Sequence, residues 1–402
     1  MEKWKKLKSG KVSELKSTFP VFQFSSSSTF RGSHRVIFID LVRALAVAFM
    51  LYGHTASALL APHYQVGRWF DIWQFQRGLT SSLFLLLGGF AFSIATSRRW
   101  ASHVRWSPAL VKRIRRFGLF VVLGYALHLP ANKFADLSSV DADRWRAFFA
   151  VDVLQAIGVS FIGIQLLVLA ARSRRAFMFA TIALAAATVL ATPLVWTCDW
   201  TRVLPTFAAA YFSPATGSQF PLFPWMGFIL LGAGLGQLYA RWGANDLSAF
   251  AQRALIAPGI VLVAIAAVIR PRPELLFGSG PGNFVPGEMM MRIGACLIIL
   301  AAFAQLSRRL SRLPHIFGAV AQESLLIYFV HLCIVYGSVW NTGLVQLYGA
   351  SRTPVQTVFF VAVVVSAMAG LAYYWNSFKH VHPRWARATS YVVGAALLIR
   401  LL

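Results

Sequence analysis

From Val36 onward the chain is a succession of long apolar runs separated by short stretches rich in Arg, Lys, Gly and Pro. The runs recur at roughly the 20-residue length that carries an α-helix across a bilayer, and the period-two alternation of a membrane barrel is absent. The pattern predicts an all-α, polytopic transmembrane helix bundle of about ten spans. They lie at about 36–61, 70–97, 117–134, 149–171, 176–197, 221–240, 255–270, 288–307, 316–341 and 354–377. The final stretch, ATSYVVGAALLIRLL, is short for a crossing and reads as an eleventh span, tilted or half-inserted. Cys198 to Phe220 is too apolar for a solvated loop and too broken by Pro205 and Pro214 for a helix, which predicts a segment folded over or into one mouth of the bundle.

The first run, VIFIDLVRALAVAFMLYGH, places three polar residues where lipid would exclude them. On an ideal helix Arg43 and His54 lie about 20° apart around the axis and about 16 Å apart along it. Asp40 falls roughly 60° from Arg43 and 40° from His54, so the three form one polar stripe. A charge facing lipid costs about 2.5 kcal/mol or more, so the stripe is expected to face a cavity. The plainer alternative is an Asp40–Arg43 ion pair that serves packing, with His54 at the membrane interface.

Composition narrows the class. The chain has 402 residues, of which 57% are hydrophobic and 13% charged, with mean hydropathy +0.62, values that exclude an ordinary soluble domain. A formal net charge of +25 would suggest nucleic-acid binding in a soluble protein. Here the cations gather in the N-terminal tail and at Arg98 to Arg116, Arg172 to Arg175, Arg308 to Arg312 and Lys379 to Arg387. They report orientation, with these loops cytoplasmic, and no nucleic-acid partner is expected. Residues 1–35, basic and then Ser-rich, read as a disordered basic cytoplasmic tail, and 36–402 as the transmembrane domain. Cys198, Cys296 and Cys333 show no metal-ligand spacing, so neither a disulfide framework nor a metal site is expected. The loops around Asp136 to Arg146 and Pro271 to Gly287 mix both charge signs with Gly and Pro, as an acceptor-facing surface would.

The Arg43-x10-His54 arrangement, followed by Arg113-x-x-Arg116 in KRIRRF, resembles the paired motifs of the membrane-bound acyltransferase family 3. FLLLGGFAFSIA resembles that family's second-helix pattern, with Gly88 in place of a serine. FIDLVRALAV, VDVLQAIG and FPLFPWMGFILLGAGLG are similar to stretches of the related heparan-α-glucosaminide N-acetyltransferase-type membrane proteins. The resemblance to this transmembrane acyltransferase superfamily runs from residue 36 to beyond 330. It implies transfer of an acyl group, typically acetyl, from cytoplasmic acyl-CoA to a hydroxyl or amine of an outward-facing acceptor such as a glycan. It also implies a multi-pass protein of a bacterial inner membrane with a cytoplasmic N-terminus, no permanently bound cofactor, and acetyl-CoA as donor co-substrate. The acceptor would be carbohydrate or lipid-linked, with membrane lipids around it and a homo-oligomer compatible with the pattern.

On that reading His54 is the general base, since a neutral imidazole suits the removal of a proton from an attacking hydroxyl. Asp40, about 21 Å from His54 along the axis, fixes Arg43 instead. Arg113, Arg115 and Arg116 supply guanidinium forks for the CoA phosphates, and Arg43 meets the pantetheine or a phosphate deeper inside. An Arg-rich cytoplasmic loop is also what orientation alone produces. Glu323, His331 and His128 are candidate substrate-binding residues of the tunnel; interfacial anchoring for Glu323 and His128, and a backbone-bonded core histidine for His331, are the competing readings. Glu288 and Arg292 stand one turn apart and pair. GFILLGAGLG has small residues at four-residue spacing, a close helix contact and not a phosphate loop. A transporter or flippase with an Arg43/His54 ion path is the alternative function, although no internal repeat is evident. A non-catalytic scaffold would leave the costly stripe unexplained.

Overall fold

The computed structural model describes residues 36–274, 282–310 and 312–402. The expected tail, 1–35, and the middle of the 271–287 loop lie outside the described residues. Every apolar run named above is helical. The principal helices are α1 Ile37–Leu59, α2 Arg68–Arg98, α3 Pro108–Leu127, α4 Val153–Ala171, α5 Arg174–Leu190 and α6 Leu222–Leu238. They continue with α7 Leu247–Ile269, α8 Val285–Ser307, α9 His315–Gln322, α10 Ser324–Tyr336, α11 Pro354–Val381 and α12 Pro383–Ile399. Among the described residues 7 helices are long and apolar enough to cross a membrane, and the α9–α10 pair would make 8. The remaining runs, α3, α5 and α12, are shorter or more basic. The protein is thus an all-α polytopic bundle.

The bundle has a basic end, carrying Arg98, Arg113, Arg174 and Lys379, and an opposite end where α1 finishes. The C-terminal turn of α12 reaches that opposite end: the Phe134 N–H donates to the Leu401 carbonyl at 2.8 Å and the Trp340 indole to Leu397 at 3.0 Å. Lipid-facing sides are apolar, as they must be where no water is available. Val358 and Phe359 on α11, Val392 on α12 and Val268 on α7 are all exposed.

Close contact between α2 and α6 anchors the core. A side-chain carbon on Gly236 would stand 2.6 Å from the Phe90 carbonyl oxygen, and Gly89 and Gly232 face the partner helix's backbone just as closely. Only glycine permits this approach, and the GFILLGAGLG stretch is accordingly a packing surface. Around it lie Phe38, Phe90 and Phe250, with the Phe38 and Phe90 rings edge to face at 5.9 Å.

Two expectations need correction. Arg113 and Arg116 are not on a loop: the Ser107 hydroxyl accepts the Leu110 N–H at 3.2 Å and Pro108 opens α3, so the helix starts well before 117 and holds the Arg-x-x-Arg pair in its second and third turns. The expected single span at 316–341 is broken at Glu323, where α9 and α10 meet at 73°. The break is held by side chains of α11. The buried Glu323 carboxylate takes the Lys379 ammonium at 2.5 Å and the Asn376 amide at 2.9 Å.

Candidate active site

Two of the three stripe residues of α1, Arg43 and His54, face a cavity of about 1270 Å³ that runs along the bundle interior between the two ends. Arg113 and Arg116 line it near the basic end, Arg43 lies along its length, and His54, His128, Asp152, Arg292 and Tyr336 line it toward the opposite end. From Arg116 to His128 alone, the wall formed by α3 extends about 18 Å.

At the basic end, Arg113 lies with its guanidinium 3.9 Å over the Phe92 ring. One terminal nitrogen donates to the Thr96 hydroxyl at 2.7 Å and to the Phe92 carbonyl at 3.2 Å. Its other terminal nitrogen and the Arg116 Nε are buried without a hydrogen-bond partner. Unfilled guanidinium donors in a cavity wall make a site suited to phosphate oxygens. Arg115 is exposed and is not part of the wall. Asp40 lies one turn before Arg43, within electrostatic reach of it, and does not line the cavity. Beside this mouth, His103 is 7% exposed; burial, with Arg113 and Arg99 adding to it, pushes its imidazole down to about 4, so it is neutral at pH 7.

At the opposite end the structure joins two histidines that the sequence treated separately. His54 Nδ1 lies 2.9 Å from His331 Nε2, and His331 Nδ1 lies 2.8 Å from the Ile327 carbonyl oxygen. A carbonyl can only accept, so in the neutral pair His331 carries its proton on Nδ1 and its Nε2 accepts from the His54 Nδ1–H. The lone pair of His54 is thereby placed on Nε2. His331 is 0% exposed, whereas His54 lines the cavity, so the first supports and the second is accessible.

Around this dyad stand Asp152, Tyr328 and Arg77, which the sequence did not single out, with His128, Glu288 and Arg292, which it did. The Tyr328 hydroxyl donates to Asp152 Oδ2 at 3.3 Å, and the same oxygen lies 3.9 Å from His128 Nε2, whose ring Nδ1 is 2.9 Å from the Gly124 carbonyl oxygen. Asp152 begins α4 and accepts the Val153 N–H at 2.7 Å. Arg77 hydrogen-bonds Ser57 and packs on Trp73. Arg292 pairs with Glu288 at 2.8 Å, as its i,i+4 spacing predicts, and Glu288 also holds Arg270 at 3.0 Å. Acids capping a span, as in VDVLQAIG, and an arginine inside a predicted span were the available signals. Glu323 stays in its ion pair and is not part of the wall. The end of the 198–220 segment reaches this mouth: the Gln219 and Phe220 N–H groups donate to the Val151 carbonyl and both residues line the cavity.

The arrangement supplies a cationic end, an apolar and aromatic passage, and an imidazole in the cavity wall within electrostatic reach of the Asp152 carboxylate. A family model for the catalytic part of heparan-alpha-glucosaminide N-acetyltransferase matches residues 35–266. That range contains Arg43, His54, Arg113, Arg116, His128 and Asp152, while Tyr328 and His331 come from beyond it. No curated protein matches the chain.

Proposed function

The chain belongs to the heparan-alpha-glucosaminide N-acetyltransferase catalytic family, and on that premise we propose that it transfers an acetyl group from acetyl-CoA, bound at the basic end, to a hydroxyl or amine of a carbohydrate or lipid-linked acceptor at the other. The observation that carries this reading is the single cavity that joins Arg113 and Arg116 to His54. The CoA phosphates take the unfilled donors of Arg113 and Arg116, and the pantetheine arm with its acetyl group passes Arg43 toward the dyad.

His54 Nε2 accepts the proton of the acceptor hydroxyl or amine as its oxygen or nitrogen attacks the thioester carbonyl. The new C–O or C–N bond forms, the C–S bond breaks, and the departing CoA thiolate takes the proton back from the imidazolium. His331 holds the His54 tautomer throughout, because its own Nδ1–H is committed to Ile327. Asp152, within reach of Tyr328 and His128, accepts from a second donor of the acceptor and so orients it. Positive-inside placement supports a cytoplasmic basic end, and the proposal sets the protein in a bacterial inner membrane with the acceptor on the far face.

The test is ligand-induced stabilisation of the purified full chain. Acetyl-CoA and free CoA are expected to raise the thermal midpoint, and a product acetylated on a glycan amine or hydroxyl is expected when such acceptors are added. An ion-path function has the same Arg43–His54 stripe but no use for unfilled guanidinium donors at a mouth. Absence of any response to CoA would favour it.

A further inference from the structure

A second concave site lies on the other side of α2 from the transfer cavity. It is a pocket of about 220 Å³ at the basic end, between the last turn of α2, the first turns of α5 and the end of α6, and it shares no lining residue with the large cavity. Its rim is Arg174, Arg175 and Arg241, and its interior includes Gln237 and Ser97, which are 4% and 8% exposed.

Three features make the pocket electrostatically incomplete. Arg174 and Arg175 occupy the first turn of α5, where the helix dipole already presents positive charge and a cation is disfavoured. Among the described residues no carboxylate forms an ion pair with Arg174, Arg175 or Arg241; Arg174 instead donates to the Ser97 carbonyl at 3.0 Å and lies against Trp100. Independently, the buried Gln237 amide nitrogen and Ser97 hydroxyl have no hydrogen-bond partner. Buried polar groups are nearly always satisfied, so unfilled donors beneath three arginines call for an acceptor that is also an anion.

We propose that this pocket binds a phosphate group, with the Gln237 amide and Ser97 hydroxyl donating to its oxygens and the three guanidinium groups balancing its charge. Its place at the end of the helices suits the headgroup phosphate of an anionic phospholipid, and a free phosphate offers the same chemistry. The site does not depend on acyl transfer.

The test uses the full chain in neutral detergent, with thermal midpoints titrated against phosphatidylglycerol, phosphatidylcholine and, at matched ionic strength, inorganic phosphate or chloride. Wild-type protein is expected to be stabilised by phosphatidylglycerol and not by phosphatidylcholine; stabilisation by inorganic phosphate over chloride as well would identify the free anion as a second source. Combined Arg174→Gln, Arg175→Gln and Arg241→Gln is expected to weaken that response at least about tenfold, the usual worth of charge-assisted bonds to phosphate. Gln237→Met, which keeps charge and approximate volume, is expected to weaken it severalfold, and carries the test if the triple variant does not fold. Equal responses in wild type and Gln237→Met, or no wild-type response to either phosphate probe, would overturn the site.

Discussion

His54 can act as a base only while its Nε2 lone pair is free, and the group that ensures this is His331. The Ile327 carbonyl fixes the His331 tautomer, which in turn fixes that of His54. Replacing His331 by Leu is therefore expected to leave acyl-CoA binding intact and lower kcat by about 10-fold or more, a part of the roughly 10²–10⁴-fold that a positioned general base contributes. His331→Gln, whose amide oxygen can still accept from His54, should recover part of the loss; a steady-state comparison of kcat and KM across the two variants checks this, and equal kcat in wild type and His331→Leu would remove the role. The rate should also fall toward acid pH, because protonating either imidazole removes an acceptor. His54 and Arg43 were legible in the sequence because polar residues in an apolar helix are conspicuous. The dyad was not, since 277 positions separate its members and His331 alone reads as a core histidine. Asp152 and Tyr328 escaped notice for the same reason: their meaning lies in a contact between helices.

Among the elements, α3 departs most usefully from its sequence reading. A basic loop would have served orientation alone, whereas a helix aims every third or fourth side chain the same way and turns Arg113 and Arg116 into the cavity while Arg115 points out. Combined Arg113→Ala and Arg116→Ala is expected to weaken acetyl-CoA binding by about 2 to 4 kcal/mol, measured by calorimetry, because charge-assisted bonds are worth about 1.5 to 3 kcal/mol each and need not add. Arg115→Ala should leave it unchanged. The α9–α10 break is a second element that hydropathy could not reveal, since it depends on the approach of α11. The Glu323 and Lys379 side chains are 5% and 9% exposed. Glu323→Ala leaves a buried ammonium unpaired and should cost about 3 to 5 kcal/mol of stability, read as a lowered thermal midpoint. An unchanged midpoint would mean that the bend is set by packing alone.

For the whole molecule, apolar run length was enough to locate the long helices other than the broken α9–α10 pair, and the polytopic class followed from it. Run length was less informative about the ends, because caps such as Ser107 and late turns such as those of α12 depend on neighbours. The basic loops predict orientation: reporter fusions in 98–107 are expected to be cytoplasmic and fusions in 198–220 external. The reverse result would put Arg113 and Arg116 on the side that lacks CoA and dismantle the proposed donor site.

In the proposed reaction His54, reached through one cavity from the basic end, removes the acceptor's proton. The most direct measurement is acetyl transfer by His54→Ala at saturating acetyl-CoA, with donor binding followed in parallel on the same preparation. Unchanged acetyl-CoA stabilisation is expected, with a transfer rate lower by at least about 10²-fold, the worth of a positioned general base. Near-wild-type transfer by a His54→Ala protein that still binds acetyl-CoA would contradict it.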